Sequence, residues 1–200
     1  MAFLKFNKSE LVNLSYSLKR EIISANKIGA VCNTSIVTCN TRRYHGLLAV
    51  TLDRFGGQNY MLLSAVDESI VVNGKQFNLG IHCYGDIYEP RGHKYVVDFE
   101  ADPVPTITYK VGEIVFKKSI LLMPDSDQVL LKYELVKAPS KVSLILKPFL
   151  AFRNVHALTH RNDQANTSYN EIPGGASFRL YSGFPDLHLQ LSSKSFEYHH

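Results

Sequence analysis

The chain has 200 residues, 45% hydrophobic and 20% charged, with a formal net charge of +4. That balance is ordinary for a soluble globular protein, and a chain of this length buries a core without a metal or disulfide staple. Its basic residues are spread along the whole sequence, which argues against the basic stripe of a nucleic-acid binder, and its three cysteines argue against a disulfide framework and fit a reducing compartment.

The first residues carry no apolar run of signal-peptide length, and no segment approaches a membrane span. No membrane association and a cytoplasmic location are therefore expected. Residues 7–24 read as the one N-terminal helix, with Leu11, Leu14, Tyr16 and Leu18 in a loosely amphipathic pattern and Asn7 three residues before Glu10 as a start signal. Cys32 and Cys39 lie in an apolar stretch and read as small buried residues.

The next segment is Asn40-Thr41-Arg42-Arg43-Tyr44-His45, followed at once by the apolar run Gly46 to Leu52. Two adjacent arginines and a histidine are poor residues to bury unpaired, so the boundary reads as a functional loop at the mouth of a strand. Further on, Asn73-Gly74 separates Ser69–Val72 from Gln76–Leu79, and Asn-Gly supplies the positive backbone angles of a tight hairpin. Val111-Gly112 marks a second hairpin between Thr106–Lys110 and Ile114–Leu122.

Three later segments alternate with a period of two. Val129, Leu131, Tyr133 and Leu135 oppose Gln128, Lys132 and Glu134. Val142, Leu144 and Leu146 oppose Lys141, Ser143 and Lys147, and Leu187, Leu189 and Leu191 oppose His188, Gln190 and Ser192. Strands with one buried face are expected there. Arg161 to Ala176 is polar and reads as a long loop. Many short strands with turns every ten or so residues predict an all-β fold. It is expected to be an antiparallel β-sandwich with one N-terminal helix, forming a single domain over residues 1–200.

Arg42, Arg43, Tyr44, His45 and Asn40 supply both hydrogen-bonding groups and flat faces, the two kinds of group that sugar recognition needs. A structural role is the alternative, with one arginine paired to a carboxylate and Tyr44 plugging a sheet edge. Arg153-Asn154-Val155-His156 repeats the form after the apolar stretch Phe149–Phe152, and the two clusters are expected to share one rim. His156 and His160 have a metal-ligand spacing, but Ala157 stands where a metalloprotease needs glutamate. No metal and no cofactor are expected. Glycoside hydrolysis needs two carboxylates facing across a cleft. The candidates, Asp67 and Glu68, Asp86 and Glu89, Glu100 and Asp102, and Asp125 and Asp127, all lie in turn-like segments. No Gly-x-Ser-x-Gly elbow is present. No catalytic residue is assigned.

The run Asn40 to Leu48 resembles the signature of the N-terminal domain of bacterial and archaeal type glycogen debranching enzymes, the amylo-alpha-1,6-glucosidase family. The likeness extends over roughly residues 18–192. Glu21, Asn26 and Gly29 resemble the opening segment. Asp67-Glu68, Gly74, Pro90, Gly92 and Phe99 fall in similar order, as do Asp102 to Thr106 with Tyr109, and Pro148 to Arg153 with His156. Ile22, Lys27, Val31 and Ile107 stand where the family more often has tryptophan, glycine, tyrosine and tryptophan.

The resemblance implies a β-rich domain that precedes a helical (α/α)6 catalytic domain holding the acids that cleave α-1,6 branch points of glycogen-like α-glucan. The expected partners are that downstream catalytic domain and the α-glucan. Asn40, Thr41, Arg42, Arg43, Tyr44, His45, Arg153 and His156 are then substrate-binding or domain-docking residues. A free-standing carbohydrate-binding module and a purely structural docking domain are the rival expectations.

Overall fold

The structure, a computed structural model, describes residues 4–192. The chain divides into two compact units, Met1–Leu158 and Thr159–His200. The first opens with β1 (Leu4–Asn7), α1 (Lys8–Val12), α2 (Leu14–Ser17), β2 (Glu21–Ala25), β3 (Val31–Ser35) and β4 (Gly46–Leu52). It continues through β5 (Gln58–Val72), β6 (Lys75–Asn78), β7 (His82–Tyr84), β8 (Ile87–Glu89) and β9 (Val96–Ala101). The last strands of this unit are β10 (Pro105–Val111), β11 (Ile114–Leu122), β12 (Val129–Lys137) and β13 (Ser143–Asn154).

These strands form two main sheets. One has the order β1-β9-β10-β11-β12; the other runs β13-β5-β4-β3-β2, with β6 added to β5. Pairing throughout is antiparallel. The chain is thus mainly β, as its alternating segments predict. In β11, Ile114, Phe116, Ile120 and Leu122 are buried at every second position, and from β5 Met61, Leu62, Leu63 and Ile70 are buried. A side-chain contact between Lys118 of β11 and Glu68 of β5 crosses between the sheets. The Asn73-Gly74 turn has φ of 49° and 72° and joins Val72 to Lys75 in register, which is the left-handed pair that a two-residue hairpin requires.

The predicted helix over residues 7–24 is corrected. Its start is as expected: the Asn7 side chain accepts from the backbone of Ser9 and Glu10, and Glu10 accepts from the Asn7 N–H. It breaks at Asn13, whose ψ of 97° is extended, leaving two short helices. Glu21–Ala25 is a strand in register with β3. Pairing with a neighbouring strand gives this segment backbone partners and a buried Ile22, and that outweighs a loose helical pattern. Among the described residues no helix is long and apolar enough to cross a membrane.

The second unit holds one antiparallel sheet of β14 (Tyr169–Ile172), β15 (Gly175–Phe178) and β16 (Leu187–Gln190). The expectation of one long loop over Arg161 to Ala176 is corrected accordingly. Pro173-Gly174 is the turn of a hairpin, and a side chain at Gly175 would meet the Leu189 carbonyl 1.9 Å away. Ser177 and Leu187 are buried. Arg179 closes the connection to β16 by donating to both Asp186 carboxylate oxygens, at 3.0 and 2.8 Å.

Candidate functional site

The motif from Asn40 to Gly46 forms the connection from β3 to β4. Its frame is polar and largely satisfied from within. The Asn40 amide donates to the Ser64 carbonyl at 2.9 Å and to its Oγ at 3.2 Å, and Asn40 Oδ1 accepts from Thr34 at 3.0 Å. The His45 N–H closes a turn on the Arg42 carbonyl at 3.0 Å. Gly46 lies against Met61, whose Sδ would stand 1.9 Å from an added Cβ, so a side chain at the start of β4 requires the Met61 thioether to move.

His45 is buried. Its Nδ1 accepts from the Thr41 N–H at 3.0 Å, which places the proton on Nε2, 3.1 Å from Glu21 Oε1. The same carboxylate oxygen receives Arg42 Nε at 3.1 Å. Burial pulls the imidazole below its ordinary value, against the opposing pull of the Glu21 hydrogen bond. Glu21 thereby joins β2 to the motif.

Arg43 and Tyr44 point elsewhere. Arg43 Nη1 donates to the His156 carbonyl at 3.2 Å, and the Tyr44 hydroxyl is hydrogen-bonded to His156 Nδ1 at 3.2 Å. The two rings of Tyr44 and His156 meet edge to face with centroids 5.6 Å apart, and the Arg43 guanidinium lies 5.7 Å from the Tyr44 ring centroid. All three residues are exposed. Beneath them Arg153 is buried. Its guanidinium donates to three backbone carbonyls: Arg43 at 2.6 Å, Ala157 at 2.8 Å and Asn154 at 3.3 Å. It therefore binds the motif to the turn that follows β13.

Both segments reach this place through a left-handed residue. Thr38, two positions before Asn40, has φ of 59°, and Phe152, next to Arg153, has φ of 46°. Such angles cost a side-chain-bearing residue about 1–2 kcal/mol. At Phe152 the pairing of β13 with β5 also shifts register between Leu150 and Arg153, and such a bulge re-aims the residue after it. The sheet thus accommodates local strain where Arg153 turns toward the Arg43 carbonyl.

The structure brings Arg43, Tyr44, Arg153 and His156 together. The other four residues divide differently. Arg42 is half of a cation–carboxylate pair with Glu21, while Asn40, Thr41 and His45 build the frame.

Four of the acids considered for catalysis face a cation: Glu68 with Lys118 at 2.7 Å, Glu89 with Arg91 at 2.9 Å, Glu100 with Lys117 at 3.7 Å and Asp125 with Lys27 at 3.2 Å, while Asp67 meets the His82 ring nitrogen at 2.8 Å. Glu68 and Lys118 have side chains only 2% and 1% exposed, and the Tyr133 hydroxyl donates to Glu68 Oε1 at 2.7 Å. Burial, reinforced by the Glu68 charge, pushes the Tyr133 and Tyr109 hydroxyls far above the ordinary phenol range. In the sequence, Lys117 or Lys118 counts toward the family resemblance, but no role is assigned to Lys118. The signal was its place on the inward phase of β11, between Phe116 and Ile120. Glu21 was noted only within the opening segment, and its partner His45 lies beyond the reach of local pattern.

Cys32 and Cys39 are buried free thiols, as expected, and burial pushes them up to about 11 and about 12. Asn26 explains its place in the opening segment. Its amide donates to the carbonyls of Met123 and Ser126, both at 2.9 Å, while its Oδ1 accepts from Ile28 and Ala30 at 3.2 and 2.8 Å.

No curated protein and no solved structure matches the chain. The family model described as "Glycogen debranching enzyme N terminal" matches residues 20–200, a span that holds both the Asn40–Leu48 run and the Arg153–His156 turn. The chain therefore belongs to the glycogen debranching enzyme N-terminal family.

Proposed function

We propose that this chain is the accessory, substrate-positioning part of a debranching enzyme that hydrolyses α-1,6 branch points of glycogen-like α-glucan. The acid/base chemistry is supplied by a catalytic domain of the same polypeptide. In this reading Arg43, Tyr44 and His156 form the surface offered to the glucan. Arg153 and His45 hold that surface in place and touch no sugar.

One observation carries the proposal. Two distant segments each deliver an exposed side chain with a hydrogen-bonding group, and a buried arginine locks the segments together through the Arg43 carbonyl. Guanidinium, phenol and imidazole side by side present donors, acceptors and ring faces together, which is the set a pyranose hydroxyl pair and its apolar face require. Membership of the family supplies the glucan.

The test is Arg43→Ala in the full enzyme, with branch-point hydrolysis measured against substrate concentration. A rise in KM with kcat and thermal stability little changed is the expected result. Lower stability with unchanged KM would replace this reading by one in which the rim docks against the catalytic domain.

A further inference from the structure

A second cluster of rings lies outside the rim. His82 of β7 stands between Tyr84 of β7 and Phe149 of β13, with ring centroids 6.0 and 5.0 Å away. Tyr84 is 61% exposed and Phe149 43%. For two large rings on one surface that is unusual, because aromatic side chains carry the largest apolar area to hide.

The polar part of the cluster is built rather than incidental. His82 Nε2 meets Asp67 Oδ2 at 2.8 Å, with both side chains about one-fifth exposed. The Asp67 carboxylate fits because residue 80 is glycine: a Cβ there would lie 2.6 Å from Asp67 Oδ1. Register explains why Phe149 and the Asp67 carboxylate share a face. Ala65 is opposite Phe149 and Asp67 is opposite Lys147, so these positions project to one side of the sheet. Glu68, one residue on, projects to the other side and into the interior.

We infer that Tyr84, His82 and Phe149, with the Asp67 carboxylate beside them, form a surface platform that binds a linear α-1,4-linked stretch of glucan, separate from the Arg43 rim. A pyranose has an apolar C–H face that stacks on a ring and an equatorial edge of hydroxyls that hydrogen-bonds to a carboxylate or imidazole. The cluster offers both kinds of partner within one ring-to-ring step. Successive rings are tilted by 46° and 47°. A non-planar strip matches the coiled shape of an α-1,4 chain and mismatches the flat ribbon of a β-1,4 chain. The choice of glucan rests on the function proposed above; the existence of the platform does not.

Calorimetric titration of the 200-residue chain with maltoheptaose tests the inference, with a cello-oligosaccharide of similar length as the comparison. Tyr84→Ala and Phe149→Ala are each expected to weaken maltoheptaose binding about tenfold, with circular dichroism unchanged. The cello-oligosaccharide is expected to give no heat. Equal binding of both sugars would overturn the assignment to α-glucan. Full maltoheptaose affinity in both ring variants, with loss in Arg43→Ala, would sink the platform and leave the rim reading standing. Absence of binding by the unaltered chain would also sink the platform, while the rim would still be judged by the kinetics of the full enzyme.

Discussion

Two clusters in this chain use nearly the same chemistry and do opposite things. Lys118 and Glu68 sit between the two sheets, sealed from water, with the half-buried Tyr133 hydroxyl bonded to the carboxylate. Arg43, Tyr44 and His156 sit on the surface, each still facing solvent. A cation beside a tyrosine is common to both. Inside the sandwich the cation has one permitted partner, because an unpaired charge there is prohibitively costly. On the surface the cation keeps its hydration and can exchange it for a ligand. What separates a structural cluster from a candidate binding cluster here is solvation, together with the Glu68 carboxylate that the buried one contains and the surface one lacks.

The sharpest way to break that contrast is to remove a buried charge. Lys118→Ala leaves the Glu68 carboxylate unpaired and should destabilise the chain by about 3–5 kcal/mol, read as a fall in the urea midpoint. Replacing Lys118 and Glu68 together by methionine and leucine should recover a large part of the loss, since no orphan charge remains. A double variant no better than the single one would show that the pair has a role beyond mutual neutralisation. Asn40 and Lys118 line the same small recess, so the single variant should also broaden NMR signals of the motif loop.

Arg153 stands between the two cases, buried yet bonded to backbone carbonyls. Arg153→Ala removes a charged donor to three carbonyls and should cost about 2–3 kcal/mol, within the range for hydrogen bonds to charged groups. It should also release the Arg43 loop, raising amide exchange at residues 42–45. Unchanged exchange there would show that the turn, and not the arginine, holds the rim.

His45 gives a smaller effect with a definite sign. Its folded value is depressed by burial, so the unfolded chain takes up the proton first as pH falls. Stability is therefore complete above the unfolded value of about 6.5 and is lost as pH drops below it, levelling off under the folded value. His93 is depressed by burial too and acts in the same direction. In His45→Gln, the loss of stability between about pH 7.5 and about pH 5.5, on either side of the free histidine value, should shrink but not vanish. A steeper loss in the variant would contradict the assignment of His45 as neutral.

Arg43→Ala is the smallest perturbation of the fold, expected within about 0.5 kcal/mol as for most surface substitutions. Its effect belongs in substrate kinetics. A stability loss comparable to that of Arg153→Ala would erase the distinction between the two clusters.

Much of this was legible in the sequence for a simple reason. An antiparallel strand with one buried face must alternate, so β12, the start of β13 and β16 show their period directly, and Asn73-Gly74 marks a turn whose backbone angles few other residues adopt. The helix over 7–24 misled because its apolar spacing was weak, and strand pairing of Glu21–Ala25 with β3 supplied more partners than a longer helix would have. Tyr169–Ile172 was missed because its two adjacent central residues, Asn170 and Glu171, are both polar and both exposed, so the strand shows no period of two.

From the residues alone came the all-β class, the hairpins, and the two polar clusters that end strands. Only the folded chain decided which members of those clusters are frame and which are surface. Arg42, Arg43 and His45 are adjacent in sequence, yet one pairs with Glu21 at the surface, one reaches His156 and one is buried. Likewise Lys118 reads as a solvated lysine until its strand is set opposite Glu68. The physical cause is that periodicity records how a strand meets water, whereas a partner fifty or a hundred residues away is fixed by register and sheet packing, which no local pattern carries.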